Sequence, residues 1–173
     1  ESGTLNSLFL KAIQIELIDV KKSYNQFGTG LRVFHEDPVK YPAWNLDHFY
    51  AKKRIAVKLI EKPRLNRSVE GIPQILMKFK FLHSTVTLII SIRPKDPLLY
   101  LDIRADIKDP KILVKYFIPL ALESEDVVSD IPYGSISRKR IKRTEQEKAK
   151  WEMSMQRWVD ISDATHGISV FND

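Results

Sequence analysis

Cysteine is absent from the 173 residues of this chain, which excludes disulfides and thiolate metal sites and suits a reducing compartment. No run of about 18 apolar residues occurs and no charged-then-apolar leader opens the chain, so neither a membrane span nor a signal peptide is expected. The expected location is cytoplasmic, with no membrane partner. A long helical pattern is missing as well, and so is any internal repeat. Charge of one sign does not dominate. The 28 Lys and Arg against 22 Asp and Glu leave +6, a modest excess that reads as solvated surface rather than as a polyanion-binding face. The chain begins at Glu1, not Met, and stops at Phe171-Asn172-Asp173, in or just after an apolar strand, which reads as a domain cut from a longer protein.

What is present is alternation. With 43% hydrophobic residues the chain can bury one core of fair size, and most of those residues recur with a period of two. Residues 8–20 set Ile13, Ile15 and Leu17 against Gln14 and Glu16, and the turn-rich stretch 21–30 ends them. Residues 31–36 form a short strand pattern. Ile55, Val57 and Leu59 share one face of the next, and Ile75, Met77, Phe79 and Phe81 do the same against Lys78 and Lys80. Three strands then follow at 86–92, 99–107 and 112–120, expected as a meander. Their breaks, Arg93-Pro94-Lys95-Asp96-Pro97 and Lys108-Asp109-Pro110-Lys111, are turns with proline preset for them. Roughly ten strands spaced by about 8–15 residues, with no long helix, predict an all-β protein: a large antiparallel β-sandwich forming a single domain over 1–173. The one helix candidate, 144–150, is too short to be stable unaided.

The rest of the chain is organised around residues 130–173. Ile131-Pro132-Tyr133-Gly134 reads as a corner. Trp151, Met153 and Met155 alternate with Glu152, Ser154 and Gln156 like a strand with one wet face, and Val159-Asp160-Ile161-Ser162-Asp163 reads as the turn after it. Gly167 then reopens a strand. Taken in order, Tyr133-Gly134, Arg138, Trp151, Arg157-Trp158-x-Asp160-x-Ser162 and a Gly-apolar strand closing on Asn172-Asp173 resemble the C-terminal β-domain of the glycoside hydrolase family 38 α-mannosidases. Lys139-Arg140 stands where that family usually has Pro-Thr. The likeness continues upstream, through Leu31-Arg32-Val33-Phe34-His35-Glu36-Asp37-Pro38 and Ala43-Trp44-Asn45-Leu46-Asp47-x-x-Tyr50, with Asn45 where the family commonly has Asp. Residues 102–120 are similar to the family's central meander. The resemblance implies a supersandwich of the galactose-mutarotase type, packed in a parent enzyme against an N-terminal catalytic barrel and a helical bundle. It also places the nucleophile, the acid and the zinc ligands upstream of this chain.

The residues themselves point the same way. His35-Glu36-Asp37 has a spacing that puts two donors on one strand face, but zinc takes three or four ligands and no second His pair lies near, so it reads as a surface turn and no metal site is expected. His48, His83 and His166 are isolated. A retaining glycosidase needs two carboxylates about 5 Å apart, a separation the sequence does not reveal, and because the resemblance places the nucleophile and the acid upstream, no catalytic residue is nominated. Asp47, Asp102, Asp106 and Asp160 read as turn formers or strand-face charges. Tyr41, Trp44, Phe49 and Tyr50 crowd one loop without strand periodicity, which suits packing in the core, against a neighbouring domain, or on a sugar ring. The nominated carbohydrate or interdomain contacts are Trp44, Asp47, Tyr50, Tyr133, Arg138, Trp158 and Asp160. The basic run at 138–143 lacks interleaved aromatics and is balanced by Glu145 and Glu147, so 138–150 is expected to be a basic flexible connector.

The function expected is that of a non-catalytic C-terminal β-domain of a zinc-dependent retaining α-mannosidase-like glycoside hydrolase. It would support the catalytic domain and line part of the glycan groove, and be inactive alone. Its partners would be the catalytic and helical domains of the same polypeptide and a mannose-containing glycan, not nucleic acid. It would hold no cofactor itself, zinc belonging to the parent enzyme. Two other readings differ in class: a free-standing carbohydrate-binding β-module, testable by binding to immobilised mannan, and a basic nucleic-acid-binding β-protein, testable by salt-dependent binding to strands.

Overall fold

β-branched and aromatic side chains at every second position produce the strands that the computed structural model contains. It describes residues 3–19, 21, 29–37, 40–41 and 44–172, so most of the turn-rich stretch 21–30, and Pro38, Ala43 and Asp173 of the family likeness, lie outside the described residues. The chain is all-β, with antiparallel sheets, and divides into two compact units.

The first unit comprises Glu1–Asn6 and Ser23–Pro119. We number strands along the whole chain, so this unit starts at β3 (Gly30–His35) and continues with β4 (Arg54–Ile55), β5 (Lys58–Arg67), β6 (Pro73–Phe81), β7 (Ser84–Ile92), β8 (Leu99–Asp106) and β9 (Ile112–Phe117). One sheet has the order β4-β3-β9 and the other β5-β6-β7-β8. Leu31, Val33 and Ile55 from the first sheet pack with Met77, Phe79, Phe81, Val86, Leu88 and Ile90 from the second, which makes a β-sandwich. Each such side chain contributes ~1.5–3 kcal/mol by leaving water. Strand β3 is buried on both faces, because Phe34 points away from that core into a second cluster with Tyr50, Leu46, Leu113 and Phe117. Pro63 sits in β5, an edge strand, where its missing N–H costs no ladder bond.

The expected meander of 86–92, 99–107 and 112–120 is corrected here. Strands β7 and β8 do pair, Leu88 opposite Ile103, but β9 leaves for the other sheet and pairs with β3, Val114 opposite Val33. The cause is the knot that Asp109 ties at the end of β8. Its carboxylate accepts from the backbone N–H of His83 (3.1 Å) and from Ser84 Oγ (2.5 Å), and it lies 2.9 Å from His83 Nδ1. Ser84 Oγ in turn accepts from the backbone N–H of Lys108. Lys111 then turns the chain with a φ of 55°.

The second unit comprises Ser7–Lys22 and Leu120–Asp173. Residues 8–20 are not one strand: β1 (Phe9–Leu10) and β2 (Ile15–Glu16) form a hairpin, with Gln14 at a φ of 58° and its Nε2 donating to Lys11 O. A single bridge joins Ile18 to Leu120. The main sheet contains β10 (Asp126–Ile131), β11 (Gly134–Lys139), β12 (Trp158–Ser162) and β13 (Gly167–Phe171) in the order β11-β10-β12-β13. A further correction concerns the last strands. Residues 151–155 are not extended into a sheet, while 159–163, read as a turn, are mostly strand β12. Their alternation is real, with Val159 and Ile161 on one face and Asp160 and Ser162 on the other, but the polar members outweigh it by composition. The helix candidate survives as α1 (Glu145–Lys148), closed by a capping box between Thr144 and Glu147. The segment 138–150 thus carries the end of β11 and this helical turn, with Arg140 Nη1 donating to Leu122 O at 2.7 Å. No helix among the described residues is long and apolar enough to cross a membrane.

Candidate functional site

The nominated contacts fall in both units. In the first unit the loop before β4 is held by its own polar groups. Asp47 Oδ1 accepts from the N–H of Phe49 (2.9 Å), its Oδ2 takes the Lys53 ammonium (2.7 Å), and Asn45 Nδ2 donates to Lys40 O. The Lys53 bond first, then the Phe49 N–H, keep the Asp47 carboxyl below its usual range. Backbone bonds from the N–H groups of Trp44 and Asn45 to Tyr41 O tighten the same turn. The described residues here present apolar rings to solvent: Trp44 is 89% exposed, and Tyr41 and Phe49 are also exposed.

Tyr50 must be set apart from them. It is only 8% exposed, its ring meets Phe34 edge-on at 5.1 Å, and its hydroxyl accepts from Lys115 Nζ at 2.8 Å. Its nomination as an outward contact is corrected. The 3-10 turn Tyr50–Lys52 rolls the ring inward onto β3, and the side chain serves the unit's own core.

In the second unit the nominated residues do not converge. Arg138 pairs across the sheet with Val127, whereas Asp160 pairs with the next residue, Val128, so the two side chains leave opposite faces. Trp158 shares the face of Asp160. Asp160 accepts from Ser162 Oγ (2.7 Å) and Ser169 Oγ (2.6 Å), which is cross-strand bracing. Arg138 is half-buried, with Nη1 donating to Ser129 Oγ at 2.8 Å.

Tyr133 stands at the tip of the two-residue hairpin between β10 and β11. Pro132 before it cannot take a positive φ, which rules out the usual primed hairpin turns and leaves a type II turn, whose second position suits glycine. Tyr133 occupies that position with a φ of 69°, wholly exposed. A side chain is therefore kept where the backbone is strained and where it touches nothing of its own unit.

Sequence reasoning missed Asp130. It is 5% exposed, and its carboxylate gathers three successive backbone N–H groups: Oδ1 accepts from Gln156 (3.0 Å), Arg157 (2.8 Å) and Trp158 (3.0 Å), and Oδ2 from Arg157 (3.0 Å). Burial pushes its pKa up, but the N–H donors of Trp158, Arg157 and Gln156 outweigh burial and hold the carboxyl below its ordinary value. Sequence offered no distinct signal, because β10 also carries Asp126 and Ser129 and nothing in its pattern marks Asp130 as the acid that is buried and must be paired.

Asp37 Oδ1 is taken by Lys111 Nζ at 2.8 Å, and the described residues contain no group of three or more potential ligands. Ser84, His83 and Asp109 superficially match a hydrolytic triad, yet the fully buried Ser84 hydroxyl donates to the carboxylate instead of to the histidine.

A family model, the glycosyl hydrolases family 38 C-terminal domain, matches residues 1–173. Among curated proteins, an α-mannosidase of Saccharomyces cerevisiae is 22% identical over 183 residues; the match covers 100% of this chain and 17% of that relative. The match spans the whole chain, and this chain belongs to the family of glycosyl hydrolase family 38 C-terminal domains.

Proposed function

We propose that this chain is the non-catalytic C-terminal β-domain of a zinc-dependent, retaining α-mannosidase-like glycoside hydrolase, and that it supports the catalytic domain while lining part of a mannose-containing glycan groove. The observation that carries the reading is the outward exposure of Trp44, Tyr41 and Phe49, beside the hydrogen bonds of Asp47 and Asn45. Rings this large, exposed close together in sequence, mark an interaction surface, and the yeast relative is far longer than this chain. Tyr133, held strained and exposed, is the matching feature of the second unit. Zinc and the reacting carboxylates then belong to other domains of the same polypeptide, in a cytoplasmic protein. A free-standing sugar-binding module would use the same rings on a glycan alone.

The test compares Trp44→Ala in this chain and in the longer protein that carries it. We expect the longer protein to lose about 2 kcal/mol more stability than the isolated chain, the worth of covering one large aromatic side chain. An equal or larger loss in the isolated chain would mean that Trp44 supports its own unit. The isolated chain, assayed on an aryl α-mannoside with added zinc, is expected to show no turnover. Zinc-dependent hydrolysis there would overturn the assignment of the chemistry to another domain.

A further inference from the structure

The basic run at 138–143 plays no part in the reading above, and its members have different fates. Lys139 pairs with Asp126 (3.0 Å), Arg143 pairs with Glu125 (2.8 Å), and Arg140 caps Leu122 O. The acid-paired Lys139 lines a cavity of about 230 Å³ between β11 and the α1 segment, as do Arg138 and Lys142, together with Ile136, Glu147, Lys150 and Met153. None of Arg138, Lys142 and Lys150 has a carboxylate within ion-pair distance among the described residues. Glu147, the one acid in the lining, already accepts from the N–H groups of Arg143 (2.8 Å) and Thr144 (2.9 Å).

Two of the three cations are also positioned. Arg138 is anchored through Nη1 on Ser129 Oγ and Ser154 O, which leaves Nε and Nη2 for another partner. Lys142 donates to the backbone carbonyl of Lys150. Burial lowers the Lys142 pKa, and Glu152 only partly offsets it. Three like charges gathered around one concavity repel one another until an anion enters.

We infer that this cavity binds the phosphoryl group of a small phosphomonoester, with Arg138 as its forked anchor and Lys142 and Lys150 as flanking point charges. A guanidinium edge matches two phosphate oxygens, while ammonium groups neutralise the remaining charge. Ile136 and Met153 supply an apolar wall for the carbon skeleton of the ester. The volume lies below the roughly 300–1,000 Å³ of sites for drug-sized ligands, which fits a single sugar phosphate. Nucleic acid fits less well, because no aromatic lines the cavity for a base to stack on and the cations converge instead of tracking a strand. The inference does not depend on domain docking: a protein that never engages Trp44 would still bind the ester.

The experiment is isothermal titration calorimetry of the purified protein at fixed ionic strength with inorganic phosphate, mannose 6-phosphate and mannose. We expect both phosphates to bind and mannose not to. Equal affinities would place the phosphoryl group alone in the site, and tighter binding of the ester would show Ile136 and Met153 holding the sugar. Arg138→Gln should weaken binding by about 100-fold and Lys150→Gln by about tenfold, as charged hydrogen bonds are lost. Lys58→Gln, in β5 of the other unit, should leave affinity unchanged. Since Arg138 also braces Ser129, the exposed Lys150 carries the test if Arg138→Gln does not fold. Absence of phosphate binding at millimolar concentration, unchanged affinity in Lys150→Gln, or stronger binding of a single-stranded oligonucleotide at the same cavity would overturn the inference.

Discussion

Asp130→Asn is expected to lower the thermal midpoint of the protein by roughly 5–10 °C at neutral pH, because hydrogen bonds to a charged acceptor are worth more than neutral ones and unmet buried donors are costly. In the wild type a single carboxylate collects the N–H groups of Gln156, Arg157 and Trp158 just where β12 begins. An amide in its place keeps one acceptor and turns an NH2 group toward the same donors. Asp130→Ala leaves all three without a partner. The pH dependence has a definite sign. The folded carboxyl titrates below its unfolded value of about 3.9, so its contribution is fully present above that value and is lost as pH falls through the folded pKa. The gap between wild type and Asp130→Asn should thus hold steady down to about pH 5 and narrow below about pH 4. Thermal melts of both proteins across that range decide it. A gap under about 2 °C at neutral pH, or one that persists unchanged at low pH, would mean that the carboxylate does not anchor β12.

Phe34→Ala should cost roughly 3–5 kcal/mol in urea unfolding, the range for emptying a buried aromatic site. Phe34 is 0% exposed, and its ring meets Tyr50 at 5.1 Å and Phe117 at 6.4 Å, both edge-on. Its loss would take support from the turn that carries Tyr50, and with it from the base of the aromatic loop. Phe34→Leu, which refills much of the volume, should recover more than half of the loss. A cost below about 1 kcal/mol for the alanine variant would show that the second cluster collapses freely and that β3 needs only its sandwich face.

These two residues also show how far the sequence could be read. Strands β6, β7 and β8 were legible because Met77, Phe79, Val86, Leu88, Leu101 and Ile103 alternate without interruption and their hairpins are local. The partner of β9 was not, since it depends on a carboxylate, Asp109, meeting a serine that is 25 residues away. Strand β12 was hidden by Asp160 and Ser162, whose turn-forming character is used across the sheet instead. The aromatic loop was found by its lack of periodicity, but Tyr50 could not be separated from Trp44 without knowing that Phe34 waits behind it. Asp130 was not singled out at all, since β10 also carries Asp126 and Ser129. Only its burial reveals the role.

Asp130 has a consequence for what the chain can change. The start of β12 is set by one carboxylate on a neighbouring strand, and its path by pairing with β13 from Trp158 opposite Phe171 to Ser162 opposite Gly167. These constraints reach into the chain between β11 and β12 only at its last two residues, Gln156 and Arg157. The length and content of that excursion are thereby uncoupled from sheet register, and lengthening it costs only the slowly growing entropy of a longer loop. The scaffold and the excursion can vary separately: residues such as Lys142 and Lys150 can be exchanged for a different chemistry while the four strands stay in place.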